Sequence, residues 1–196
     1  MLFTLLLIEY ERKFGKVCKD YHKPYETRIP CIGGPSYFTS IALGFLAASV
    51  WLGIEFRVVV AIELSLLLGF LAGMLDDYVD LDVEWKIVAG ALPALPLIFA
   101  KVYEPYLSLP LLGTYRMTIV YPLLVLAGTT VVVNSANMVD THNGLLTGSV
   151  TLILMGALFL EIIRGCSPYA LVLTAISLAA LATFHFFNRY PAKIFN

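Results

Sequence analysis

Long apolar runs, broken by short polar segments, set the pattern of this chain. A helix needs about 20 mainly apolar residues to cross a bilayer. One partial and six fuller segments are candidates: 1–9, then 36–54, 57–75, 86–103, 118–134, 149–163 and 168–187. The first reads as the second half of a span, so the chain is expected to start partway through one. The fourth is the weakest. Only 14 residues separate Lys86 from Lys101, and Pro93 and Pro96 lie among them. Proline is tolerated in a membrane helix when neighbours satisfy the freed backbone groups; a re-entrant hairpin stays an open alternative here. The apolar run Leu2–Ile8 is short and no small-residue cleavage site follows it, so no cleavable leader is expected. The pattern predicts an all-α, polytopic transmembrane bundle of about six to seven spans, one membrane domain over 1–196.

Composition sharpens this reading. Hydrophobic residues make up 59% of the 196, above the 45–50% typical of soluble domains, and mean hydropathy is +0.83. One buried core cannot absorb that excess. The 13 Lys and Arg balance 14 Asp and Glu, which argues against nucleic acid as a partner. Cys18, Cys31 and Cys166 show no metal-ligand spacing and read as free thiols. Parity of the spans places 10–35, 76–86, 134–148 and 188–196 on one membrane face. Nine of the 13 cations lie there and four on the other side, so the positive-inside rule makes that face cytoplasmic.

Each polar segment on this face carries possible chemistry. "GFLAGMLDDYVDLDVEWK" puts Asp76 and Asp77 directly after an apolar run, at a helix end. Adjacent carboxylates repel unless a cation or donors offset them, and Mg²⁺ is often held by one or two carboxylates with substrate phosphates. A solvated acidic loop is the plainer reading, favoured for Asp80, Asp82 and Glu84. In "VVVNSANMVDTHNGLLTGSV", Asn134, Asn137 and Asp140 are spaced by three, and Asn143 extends the register. If a helix runs through them they share one face. Asn amides suit a nucleobase edge or a phosphate–metal cluster, and Gly144 and Gly148 permit a close backbone approach. A polar cap and turn is the alternative, and His142 reads as a solvated side chain. The basic segment "KDYHKPYETRIPCIGGPSYF" suits anionic lipid headgroups or a phosphorylated substrate. The tail "FHFFNRYPAKIFN" reads most simply as a snorkelling basic end.

"KDYHKP…RIPCIGG", "GMLDDYVDL", "NSANMVDTHNGL" and "FNRYPAKIF" resemble, in that order, the motifs of the polyprenyl-phosphate N-acetylhexosamine-1-phosphate transferases, glycosyltransferase family 4. The resemblance implies a polytopic membrane enzyme of about ten spans that uses Mg²⁺ or Mn²⁺. Such enzymes move a sugar-1-phosphate from a UDP-sugar to a polyprenyl or dolichyl phosphate and release UMP. It implies catalytic roles for Asp76, as base toward the lipid phosphate, for Asp77, close to the metal, and for Asp140. It implies that Asn137 contacts metal or diphosphate, that Asn143 lies near the uridine, and that Asn188 belongs to the substrate-binding "FN..PA" segment. Asn at position 143 follows the dolichol-type pattern and points to UDP-GlcNAc. Asp80 departs from the Lys of the bacterial pattern. The family continues beyond Asn196 with a Gly-Asp segment whose Asp is a metal ligand, so the chain is expected to be a partial version of the fold.

Three functional readings therefore stand: the transferase, a catalytically inactive fragment or one half of a split transferase, and a transporter. Within the six fuller spans only Glu63 and Glu161 are acids, which disfavours the transporter. The transferase reading implies as partners a UDP-sugar, a polyprenyl or dolichyl phosphate and membrane lipids, with a homodimer or a complementing C-terminal fragment open. It places the protein in the plasma membrane as a multi-pass protein with cytoplasmic site loops.

Overall fold

Proline placement explains where several helices begin. Pro35 and Pro168 occupy first turns, where the missing N–H costs nothing. The computed structural model describes residues 2–14, 17–19, 28–30, 33–79, 81–109, 111, 113–165 and 167–195. Within them lie α1 (Leu2–Phe14), β1 (Val17–Lys19), β2 (Arg28–Pro30), α2 (Gly34–Leu52), α3 (Phe56–Val79), α4 (Val83–Ala91), α5 (Ala94–Phe99), β3 (Tyr106–Leu109), β4 (Gly113–Arg116), α6 (Val120–Val139), α7 (Leu145–Arg164) and α8 (Pro168–Asn188). Five of these helices, α2, α3, α6, α7 and α8, are long and apolar enough to cross a membrane. At 1.5 Å per residue, 20 residues span about 30 Å. The fold is all-α and polytopic, as the apolar pattern predicts. Its strands form two short antiparallel hairpins, β1–β2 and β3–β4, which that pattern did not foretell.

The chain divides into two compact units, 1–53 with 139–196, and 54–138. In the first, α8 packs on both α7 and α2, and α1 rests on α2 and β2. Its core is Ile8, Phe184, Phe187 and Ile194, with Tyr37 against them; the Tyr37 and Phe184 rings meet edge-on at 5.3 Å. The end of the chain is tied back by Phe195 N–H donating to Pro30 C=O (2.9 Å) and Lys193 N–H donating to Phe187 C=O (2.8 Å). Inside the apolar length, Thr174 on α8 donates to Glu161 on α7 (3.0 Å).

In the second unit, α3 packs on α4 and α5. The segment predicted as one span over 86–103 is instead two short helices. Leu92 and Pro93 between them keep right-handed helical dihedrals, so Val83–Phe99 runs as one interrupted helix. Pro93 and Pro96 lack N–H groups, which is the physical cause of the break. The carbonyls left without their usual donors, Ala89 and Leu92, accept the Leu92 and Leu95 N–H groups instead (3.2 and 3.1 Å), and Ser65 of α3 donates to Pro93 C=O (2.7 Å) at the break. No residue of α6 is buried. Large apolar side chains elsewhere face outward, including Trp51, Phe56 and Phe99, as surfaces solvated by lipid tails do.

Candidate functional site

The helix α3 runs on past the predicted span end to Val79, so Asp76 and Asp77 sit on its last turn. The Asp76 carboxylate is the meeting point of three segments. Its Oδ1 accepts the Leu81 N–H (3.1 Å) just past the end of α3, and lies 3.2 Å from Lys86 Nζ of α4. Its Oδ2 accepts the Asn137 amide N–H of α6 (3.0 Å). The Asp76 side chain is 17% exposed and that of Lys86 28%, so this pair is partly withdrawn from water. Asp77, next in sequence, is exposed.

A second amide sets the spacing of α4 and α6. Asn134 donates to Thr130 C=O (2.8 Å) on its own helix and reaches Lys86 C=O (3.4 Å) across the gap. A Cβ on Gly90 of α4 would lie 2.8 Å from the Asn134 amide nitrogen. A side chain there would displace the Asn134 amide from its bonds, while the Thr130 backbone beyond it stays at 3.5 Å. Asn134 and Asn137, one turn apart, thus share the face predicted from their spacing. That face ends there. The helix stops at Val139, so Asp140 and Asn143 do not continue the register. Both belong to a turn in which Thr141 N–H donates to Val139 C=O and Leu145 N–H to His142 C=O. Asp140 and His142 are exposed and Asn143 is half-buried.

That turn is locked in the first unit. Gly144 has φ +83°, in the left-handed region that favours glycine. Its N–H donates to Asn188 Oδ1 (3.0 Å), which also accepts the Thr147 hydroxyl (3.1 Å). The Asn188 amide nitrogen donates to Ile194 C=O (3.1 Å). Asn188 is 2% exposed, and its amide therefore joins the start of α7, the end of α8 and the terminal segment. Gly144 and Gly148 face α8 closely: a Cβ on Gly144 would lie 2.9 Å from the Arg189 Cα and 3.3 Å from the His185 ring, and one on Gly148 3.2 Å from that ring. Arg189 is exposed and stacks over Phe186 at 4.9 Å.

The donor set tests the implied metal. Asp76, Asp77 and Asn137 offer hard oxygens, and the Asn137 nitrogen on Asp76 leaves its amide oxygen available as an acceptor. Mg²⁺ suits such a set, because it takes few protein oxygens and completes its shell with water and phosphate. Among the described residues, no group of three or more His, Cys, Asp or Glu converges. The residues therefore fit a divalent ion shared with an oxygen-rich substrate. Asp82 and Glu84 stand exposed at the start of α4, where the helix dipole favours acids, in line with the solvated reading. Asp80, Cys31, Cys166 and most of the basic segment over 20–27 lie outside the described residues.

Sequence reasoning counted Lys86 only as a charge and gave no role to Gly90, Thr147 or His185. For Lys86 a signal existed: it is the one cation in 76–86, a stretch holding five acids. The others depend on which helices approach each other.

Comparison with known proteins bears on these residues. The sequence pattern of the family described as glycosyl transferase family 4 matches residues 58–196. A protein of Saccharolobus solfataricus, named provisionally as a UDP-N-acetylglucosamine–dolichyl-phosphate N-acetylglucosaminephosphotransferase, is 31% identical over 98% of this chain and 60% of its own length. A Sulfolobus acidocaldarius protein with the same provisional name is 31% identical over all of this chain and 61% of its own. A Bacillus subtilis protein, named provisionally as an undecaprenyl-phosphate N-acetylglucosaminyl 1-phosphate transferase, is 27% identical over 54% of its length. The chain thus spans about 60% of the length of the curated relatives it matches.

Proposed function

Because the chain belongs to glycosyl transferase family 4, we propose that it takes part in transferring a sugar-1-phosphate, GlcNAc-1-phosphate from UDP-GlcNAc, to a polyprenyl or dolichyl phosphate with release of UMP. The observation that carries the proposal is the Asp76 cluster, where one carboxylate is held by Lys86, Asn137 and Leu81 beside the exposed Asp77. Phosphoryl transfer is dominated by positioning and charge neutralisation, and this cluster offers both. The proposal gives Asp77 and Asn137 the task of holding Mg²⁺ or Mn²⁺. When bound, that ion would offset the charge of the diphosphate and of departing UMP. Asp76, fixed in orientation by its three donors, takes the proton of the attacking lipid phosphate. Lys86 supplies positive charge for phosphate oxygens. Asp140 and Asn143 are assigned to the nucleotide sugar, with Asn188 acting by holding their turn. The names of the relatives, two of which refer to UDP-N-acetylglucosamine and dolichyl phosphate, support the lipid and sugar chosen. We place the protein in the plasma membrane, and the 9-to-4 split of cations supports these residues facing the cytoplasm.

The test is incorporation of labelled GlcNAc-phosphate from UDP-GlcNAc into lipid by membranes carrying this chain, with and without the reading frame that follows it. Divalent-dependent lipid product, lost in Asp77→Ala, is expected. Absence of product under both conditions, or product undiminished by Asp77→Ala, overturns the reading.

A further inference from the structure

The hydrogen bonds around Asn188 run in one direction only, and that direction fixes a histidine. Asn188 faces two backbone groups whose polarity is not negotiable: the Gly144 N–H can only donate and the Ile194 C=O can only accept. Its amide oxygen must therefore lie toward Gly144 and its amide nitrogen toward Ile194. Thr147 Oγ1 is 3.1 Å from that same oxygen and 3.4 Å from Gly144 C=O. A hydroxyl has one proton. Unless it is given to one of these oxygens, Thr147 Oγ1 confronts both with none between them, at a site where Thr147 is 1% and Asn188 2% exposed. Buried polar atoms in that state are costly. The proton on the 2.9 Å contact between Thr147 Oγ1 and His185 Nδ1 must then come from the ring.

We propose that His185 is a positioning residue. As the Nδ1–H tautomer it heads a chain, His185 to Thr147 to Asn188, that holds the Gly144 N–H and so sets the turn carrying Asp140 and Asn143. Its Nε2, which no group among the described residues hydrogen-bonds, is left as a lone-pair acceptor for a donor N–H or O–H of a ligand at that turn. The ring is seated for this by Gly144 and Gly148, which leave the space it fills. The importance of the turn rests on the transferase reading above; the tautomer does not.

The chain has three histidines, His22, His142 and His185. Labelling them with ¹⁵N in the full chain in detergent micelles, and recording long-range ¹H–¹⁵N correlations, reports the tautomer of each; His185→Asn identifies the His185 signals. At a pH where the ring is neutral, Nδ1 is expected to carry the proton and Nε2 none. Thr147→Val, which keeps shape but removes the acceptor, is expected to release His185 to the Nε2–H form. An Nε2–H ring in the unmodified chain, or a tautomer indifferent to Thr147→Val, overturns the proposal. The positioning role is read from amide exchange at Gly144. His185→Leu is expected to speed it about tenfold, the loss of roughly one hydrogen bond. His185→Asn, whose amide N–H lies near the place of Nδ1, is expected to restore protection to within about threefold. Equal loss in both variants overturns the role. Neither readout needs turnover, so a failed transferase assay leaves them decisive.

Discussion

Removing Lys86 tests the centre of the Asp76 cluster. Lys86 Nζ and Asp76 Oδ1 are 3.2 Å apart, with side chains 28% and 17% exposed. At that distance Coulomb's law gives about 1 kcal/mol in bulk water and about 5 kcal/mol at the effective dielectric of a protein surface. Ordering the lysine side chain and taking both charges partly out of water offset some of this. Fully exposed pairs are worth about 0–1 kcal/mol, and breaking a fully buried one costs about 3–5 kcal/mol. The pair lies between, so a coupling of about 1–3 kcal/mol is expected. The assay is a double-mutant cycle with Lys86→Met, Asp76→Asn and both together, read by SDS-induced unfolding of the chain in mixed micelles. Asp76→Asn keeps the shape and the Oδ1 acceptor for Leu81, so the cycle isolates the ionic part. A coupling below about 0.3 kcal/mol, the level of a freely solvated pair, would refute the claim that Asp76 and Lys86 form a partly desolvated unit.

Three further outcomes follow from the same geometry. On the proposed transferase reading, Asp77→Ala is expected to abolish metal-dependent lipid-linked product in a complete enzyme, and chelation of divalent ions to do the same without the substitution; both are read by the labelled-sugar assay. Gly90→Leu is expected to destabilise by about 1–3 kcal/mol, since its Cβ would lie 2.8 Å from the Asn134 amide. Gly73→Ala, with nothing within 4 Å, is expected to be neutral or to stabilise by up to about 1 kcal/mol; the two midpoints in SDS check this contrast. Asn188→Ala leaves the Gly144 N–H and Ile194 C=O without the partners they have now, and a loss of about 2–4 kcal/mol in the same unfolding assay is expected.

How far the sequence could be read depended on the range of the forces involved. Apolar length is a local property, so the long helices were legible and their ends lay within a few residues of expectation. The Pro93–Pro96 pair was also local, and it flagged the one segment that breaks. The hairpin β3–β4 left little trace, because its pairing joins short segments with no sustained alternation. The Asp-Asp pair was expected at a helix end, where it lies, and the Asn134–Asn137 spacing foretold that the two amides share a face of α6. That Asn137 meets Asp76, 61 residues earlier, was not legible, since it depends on the tertiary approach of α6. The same holds for Asn188: the sequence marked it as part of a functional segment, whereas its 2% exposure arises from a closing loop that spacing does not reveal. Gly144 and Gly148 suggested a close backbone approach; that α8 approaches them, through Arg189 and His185, was not legible.

The three-way junction at Asp76 also has a consequence for biosynthesis. Its partners enter the chain at positions 81, 86 and 137. During synthesis the first two can engage while α3 and α4 settle into the bilayer, but the last contact must wait until ribosome and translocon have delivered α6. A nascent chain arrested before Val120 would hold Asp76 only by the Leu81 N–H and Lys86. The junction is completed late, by a helix that arrives with no buried residue of its own and is fastened near its trailing end by two amides.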